Sequence, residues 1–180
     1  MLDATDRFAA VRAPSGLGLR AGGVQGLADA LLALGLAKAL GARTVAAVPS
    51  PSASGVRDPA SGVLNGPQVV DYAVALAEAV EAVLGSVEVP ENALARLTRS
   101  GARGRFWVHV DADVLDDAVM PAVDHRQPGG LTPGELATIL AAAMASGRVA
   151  GVDVTIYNPA LDPDAGAALA GALIRGLAGG

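Results

Sequence analysis

The stretch HVDADVLDDAVMPAVDHRQPGGLTPGEL, residues 109–136, gathers five aspartates and both histidines of the chain. The rest of the sequence is mostly alanine, leucine, valine and glycine. Such a concentration of acids and imidazoles is either the mouth of a metal site or a solvated loop between two buried elements. Its flanks decide the fold. Upstream, residues 105–110 (RFWVHV) read as a strand, with Phe106, Val108 and Val110 on one face and Trp107 and His109 on the other, the two-residue period of extended chain. Downstream, Thr132-Pro133-Gly134-Glu135 is a capping box with proline at the first helical position, which predicts a helix from there to Gly147. A final strand is predicted over 148–156 and a final helix over 165–178.

The amino-terminal half repeats the alternation. FAAVR, residues 8–12, predicts a first strand, and the glycine-rich turn SGLGLRAGG leads into an expected helix over 24–40 that stops at Gly41. A strand is predicted over 44–48, a loop over the proline- and serine-rich segment after it, and helices over 68–84 and 91–99. Short strands alternating with helices predict an α/β class with a mainly parallel sheet. In such sheets ligands bind beyond the carboxyl ends of the strands, where Asp111 and Asp113 fall. The glycines of SGLGLRAGG do not have dinucleotide-fingerprint spacing and read as turn residues.

Composition narrows the classes of function. The chain has 180 residues, enough for one domain with a substantial core. Hydrophobic residues make up 52% but aromatics only 3%, so the core must be assembled from small aliphatic side chains. The net charge is -5, Lys38 is the sole lysine, and the arginines are scattered, which argues against a nucleic-acid partner. With no cysteine there are neither disulfides nor thiolate metal sites. No long apolar run suits a membrane span, and MLDATDRFAAVRAP lacks the basic start and apolar run of a signal peptide. The expectation is a cytoplasmic protein without membrane contact.

Residues two apart on extended chain point to one side, so Asp111 and Asp113 are candidates to hold one or two hard divalent cations together. Asp116, Asp117, Asp124 and His125 lie within reach along the same loop. Unneutralised carboxylates at such spacing repel, and a cation removes the conflict; the competing reading has the same aspartates capping turns in water. An EF-hand loop fails, because its sixth and twelfth positions hold Asp116 and Ala122. HVDADVL also looks like the D-x-D-x-V of a haloacid-dehalogenase-type phosphotransferase, but Lys38 lies upstream rather than downstream of it.

The longer pattern FWVHVDADVLDDAVMPAVDHRQPGGLTPGEL closely resembles the arginase/agmatinase/formimidoylglutamase superfamily, the ureohydrolases. Two further stretches are similar to that superfamily: GVDVTIYNPALDPD, whose N-P comes after a strand, and the N-terminal APSGLGLRAGGVQGLADALLALGL, which resembles a bacterial arginase-like branch. The resemblance implies a three-layer α/β/α fold, shortened here. It also implies a binuclear manganese centre and hydrolysis of a C–N bond in a guanidino, amidine or formimidoyl substrate. By motif, Asp111 and Asp113 carry over as Mn2+ ligands, while His109 takes a non-ligand position and is expected to be packed or hydrogen-bonded in its strand.

The chain departs from that pattern. The family's G-G-D-H/C and D-A/G-H-A-D ligand motifs do not occur. Residues 1–180 therefore read as one arginase-like domain lacking its central segment, with an apparent junction near 84–90. Ile156 stands where most arginases carry the glutamate that helps bind the guanidinium, and Asp117 replaces the proline of the D-P pair. Two expectations result: a small-molecule hydrolase with a weak or partial metal site, or a non-catalytic remnant of the fold that self-associates as a homo-oligomer.

Overall fold

The elements keep the alternating order that the sequence predicts: β1 (Phe8–Arg12), α1 (Leu27–Ala33), α2 (Leu36–Leu40), β2 (Ala42–Ala47), α3 (Gly66–Ser86), β3 (Phe106–Asp111), α4 (Pro133–Ala145), β4 (Val149–Thr155) and α5 (Gly166–Ala178). The structure is a computed structural model that describes residues 8–17, 22–86 and 105–178. The helix expected over 91–99 and most of the junction expected near 84–90 lie outside the described residues.

One expected element is divided. Residues 24–40 form a single turn of 3-10 helix at Val24–Gly26, then α1, then α2. The break is Gly35, at φ 82°, and Gly41 at φ 60° ends α2. Glycine enters the left-handed region without a Cβ clash, so the chain reverses where the apolar period alone would carry a helix through.

β1 pairs with β2 and β3 with β4, both in parallel. The α/β class with parallel strands therefore holds. Among the described residues, however, the strands form two separate two-stranded sheets rather than one continuous sheet.

The core lies on one face of the β3–β4 pair. Val108 and Val110 of β3 and Val152 and Val154 of β4 join a cluster with Leu136 and Leu140 of α4 and Leu169 and Leu173 of α5. Helix α5 buries Leu169, Ala170, Ala172, Leu173, Gly176 and Leu177, the stripe that a 3.6-residue period sets on one side. Each fully buried leucine contributes roughly 1.5–3 kcal/mol. At Gly176 a Cβ would stand 2.5 Å from Leu140 Cβ and 2.9 Å from the Ala137 carbonyl oxygen, so the bare backbone is what lets α4 and α5 approach. Leu31 of α1 and Leu40 of α2 close the same core from the amino-terminal half.

Among the described residues the opposite face of β3–β4 is left open: Trp107 is 51% exposed. Its indole lies over Gly151, where any Cβ would collide with the ring, and its Nε1 donates to Asp153 Oδ1 at 2.5 Å. His109 Nδ1 meets the other Asp153 oxygen at 2.6 Å. The strand alternation read from RFWVHV is thus observed, with the aliphatic side inward and the Trp107 and His109 side outward.

Candidate metal centre

β3 ends at Asp111, and its partner in the register of β4 is Thr155, the last residue of that strand. Both therefore stand on the carboxyl rim of the pair, where parallel sheets bind ligands. The chain does not stay extended past Asp111. Ala112–Val114 is a turn of 3-10 helix with Asp111 as its N-cap, and Asp111 Oδ1 accepts a long bond, 3.4 Å, from the Asp113 N–H. The two carboxylates are brought together by this turn, not by the alternation of a continuing strand.

The electrostatics bear the marks of that proximity. The Asp111 pKa is raised, first by partial burial, then by the charge of Asp113, and further by a hydrogen bond between the two carboxyl groups. The Asp113 N–H and the nearby His109 oppose the rise. A desolvated carboxylate beside another resists ionising, and a divalent cation between them would reverse that preference.

The remaining candidates serve the loop. Asp116 accepts from the Ala118 N–H at 2.9 Å and the Gly129 N–H at 2.8 Å, which lowers its pKa. Asp117 faces Arg126 at 3.5 Å. Asp124 and His125 are exposed, and His109 is engaged with Asp153. Among the described residues, no three His, Asp or Glu side chains converge as a metal would need.

At the end of β4, Thr155 was not singled out in the sequence, and Ile156 was noted there only for the glutamate it replaces. Thr155 Oγ1 is buried and has no hydrogen-bond partner. Ile156 comes next at φ 73°, with the Tyr157 N–H bonded to the Thr155 carbonyl at 3.0 Å, a γ-turn of the rare positive-φ kind. A β-branched residue there is strained and persists only where its surroundings hold it. Here they do. The buried Tyr157 donates its hydroxyl to the Pro163 carbonyl at 3.0 Å, Asn158 Nδ2 donates to the Gly22 carbonyl, and the Asn158 N–H donates to the Ala122 carbonyl at 2.8 Å. The last bond ties the loop after β3 to the turn after β4. No local sequence signal marks a left-handed isoleucine; the N-P dipeptide is the nearest pointer.

The Leu115–Leu131 bridge fixes the rim from the other side. Gly130 packs on the backbone of Leu115 and Asp116, where a Cβ would lie 2.6 Å from both the Leu115 carbonyl carbon and the Asp116 nitrogen. This close approach is the physical content of P-G-G-L. A cleft of about 510 Å³ opens elsewhere on the molecule, between the end of β1 and the N-P turn. It is lined by Arg12, Gln25, Asp29, Ser50 and Pro159, and neither Asp111 nor Asp113 is among its lining residues.

The donor set is two neighbouring carboxylates, so a hard cation there would need water for most of its shell. It does not fit a pair of manganese ions, because the described residues supply no third acid or imidazole.

Comparison with known proteins agrees with the framework. The sequence model of the arginase family matches residues 52–179. The chain is 39% identical over 80 residues to a mitochondrial arginase of Medicago truncatula, covering 43% of this chain and 23% of that protein. It is 41% identical over 63 residues to an arginase of Agrobacterium fabrum, covering 35% and 19%. The matches span about a fifth of the length of these curated relatives. Among solved structures, an arginase from Bacillus subtilis superimposes with a TM-score of 0.62 at 14% identity, covering 96% of this chain and 98% of that one. The agmatine ureohydrolase of Thermoplasma volcanium gives 0.60 at 12%, covering 97% and 90%. At those identities the superpositions speak for the fold alone. With its model matching well over half of the residues, the chain belongs to the arginase family.

Proposed function

We propose that this chain is a metal-dependent hydrolase of C–N bonds in small guanidino, amidine or formimidoyl substrates. The observation that carries this reading is the convergence of Asp111 and Asp113 on the carboxyl rim of β3, inside the P-G-G-L-T framework. The two carboxylates would hold the cation, taken as Mn2+ from the family resemblance. Such a cation, when bound, lowers the pKa of water in its shell and offers positive charge to the group under attack.

The chain's own residues set the rest. The 3-10 turn after Asp111 holds Asp113 beside it, and the Leu115–Leu131 bridge holds the loop beyond. Ile156 offers no charge to a guanidinium, so arginine itself would lack its usual anionic partner at that position. Calorimetric titration with Mn2+, then urea and ammonia assays over arginine, agmatine and formimidoylglutamate, tests the proposal. Heat of binding with product release supports it, and neither heat nor product ends it. A cytoplasmic location belongs to the same proposal; among the described residues no helix is long and apolar enough to cross a membrane.

A second reading rests on the absence of a three-ligand group among the described residues and on the open β3–β4 face carrying Trp107. In it the chain is a non-catalytic arginase fold that self-associates. It predicts a dimer or larger species in light scattering and no melting-temperature rise with Mn2+. A monomer stabilised by Mn2+ refutes it.

A further inference from the structure

The cleft of about 510 Å³ occupies the carboxyl rim of the other strand pair. Arg12 is the last residue of β1, and the Val48 N–H donates to its carbonyl at 2.8 Å, so Ser50 lies just past the end of the pair. Parallel strands bind ligands beyond such ends. The cleft is also of ordinary size for a small-molecule site, about 300–1,000 Å³. Its shape is fixed by close packing. Gly23 stands at φ 106°, where a Cβ would lie 2.4 Å from Asn158 Oδ1 and 2.5 Å from Ala160 Cβ. The turn before α1 thus meets the N-P turn backbone first, and Asn158 Nδ2 donates to the Gly22 carbonyl across the junction.

Two charges face each other in the lining. Arg12 Nε and Nη2 donate to the two Asp29 oxygens at 2.5 and 2.6 Å. The hydrogen bond from Arg12 holds the Asp29 carboxyl below its ordinary pKa, so both groups are charged at neutral pH. The pair uses two of the five guanidinium N–H donors and leaves further lone pairs on the carboxylate. Among the described residues nothing engages Arg12 Nη1 or the Ser50 hydroxyl. Gln25 Oε1 accepts from the Gly23 N–H at 3.1 Å, which leaves its amide nitrogen as a donor without a partner among them.

The lining therefore carries one charge of each sign, and both have bonding capacity to spare. A simple anion meets repulsion from Asp29 and a simple cation from Arg12. A molecule with both charges on neighbouring groups avoids either conflict by lying antiparallel to the pair. Pro14 and Pro159 add apolar surface beside it.

We propose that this cleft binds a small zwitterion of the α-amino-acid class. The ligand's ammonium pairs with Asp29, its carboxylate accepts from Arg12, Gln25 and Ser50, and an apolar side chain lies against the two prolines. The site stands apart from the reading of Asp111 and Asp113, and its test contains no metal.

The test is saturation-transfer NMR and calorimetry on the full chain at constant ionic strength. The probes are L-leucine, isocaproate, which lacks the ammonium, and isoamylamine, which lacks the carboxylate. Leucine is expected to bind with a Kd of about 1 mM, at the weak end of the affinity scale. Each half-probe is expected to bind about ten-fold more weakly, for loss of a charge-assisted bond. Arg12→Gln and Asp29→Asn are expected to lose about ten-fold for leucine, and Ser50→Ala about three-fold. Gln25→Glu keeps an oxygen for the Gly23 N–H but sets a second carboxylate against that of the ligand, and is expected to abolish binding. No leucine signal in wild type at ten times the expected Kd overturns the proposal. Isocaproate binding as tightly as leucine overturns the zwitterion and leaves a carboxylate site. Leucine affinity unchanged in Ser50→Ala and Gln25→Glu places the ligand elsewhere and overturns it too, even where the charge variants do not fold.

Discussion

Gly130→Ala is the substitution that tests how the rim is built. The added Cβ would lie 2.6 Å from the Asp116 nitrogen and the Leu115 carbonyl carbon, and 2.8 Å from the Leu115 oxygen. Ordinary contact needs about 3.5 Å, so the two backbone segments must part by nearly an ångström. All three contacts are to main chain, and no side-chain rotation relieves them. The bonds from Asp116 N–H to the Leu131 carbonyl, 3.0 Å, and from Leu131 N–H to the Val114 carbonyl, 2.8 Å, would then stretch past useful length. Two net hydrogen bonds at about 1 kcal/mol each, with a moderate overpacking strain, give a loss of about 3 kcal/mol. In a chain of this size that is a fall of about 9 °C in melting temperature. Gly129 is the internal control: it sits at φ 82° with nothing near its Cβ position. Gly129→Ala should lose only the left-handed penalty, about 1 kcal/mol or 3 °C. Thermal and urea unfolding of the three proteins decides the matter. A Gly130→Ala variant as stable as Gly129→Ala would refute the close-approach argument.

The same geometry sets three further outcomes. Asp111→Asn should raise the melting temperature of the metal-free protein at neutral pH and abolish heat on Mn2+ titration. The sign comes from the raised Asp111 pKa: the folded state resists ionisation, so the cost sets in as pH rises from the ordinary carboxylate value through the raised one and persists above it. Asp116 has the opposite sign. Its pKa is lowered by the Ala118 and Gly129 N–H groups, so its stabilisation is full above the ordinary carboxylate pKa and is lost as pH falls through the lower folded value. Asp116→Asn should flatten that acid limb in denaturation measured across pH. Thr132→Ala removes the side chain that accepts from the Glu135 N–H at 3.2 Å and should cost about 1 kcal/mol in urea unfolding.

The sequence by itself determined the order and type of the elements. Periods of two and of about 3.6 survive wherever one face is buried, so RFWVHV, the strand before N-P and the final helix are legible from their apolar positions. The capping box at Thr132 is legible because its two bonds are local. The resemblance carried by the aspartate and P-G-G-L-T motifs led to the family, and it singled out Asp111 and Asp113. Where the chain reverses was less visible: the break at Gly35 lies inside an uninterrupted apolar period. Only tertiary structure decided how the strands pair and what surrounds the aspartates. The 3-10 turn joins Asp113 to Asp111, register brings Thr155 opposite, and Asn158 ties the two loops and holds Ile156 in a conformation no isoleucine prefers. Apart from the turn, these depend on contacts between residues tens of positions apart, and local propensity carries no record of them.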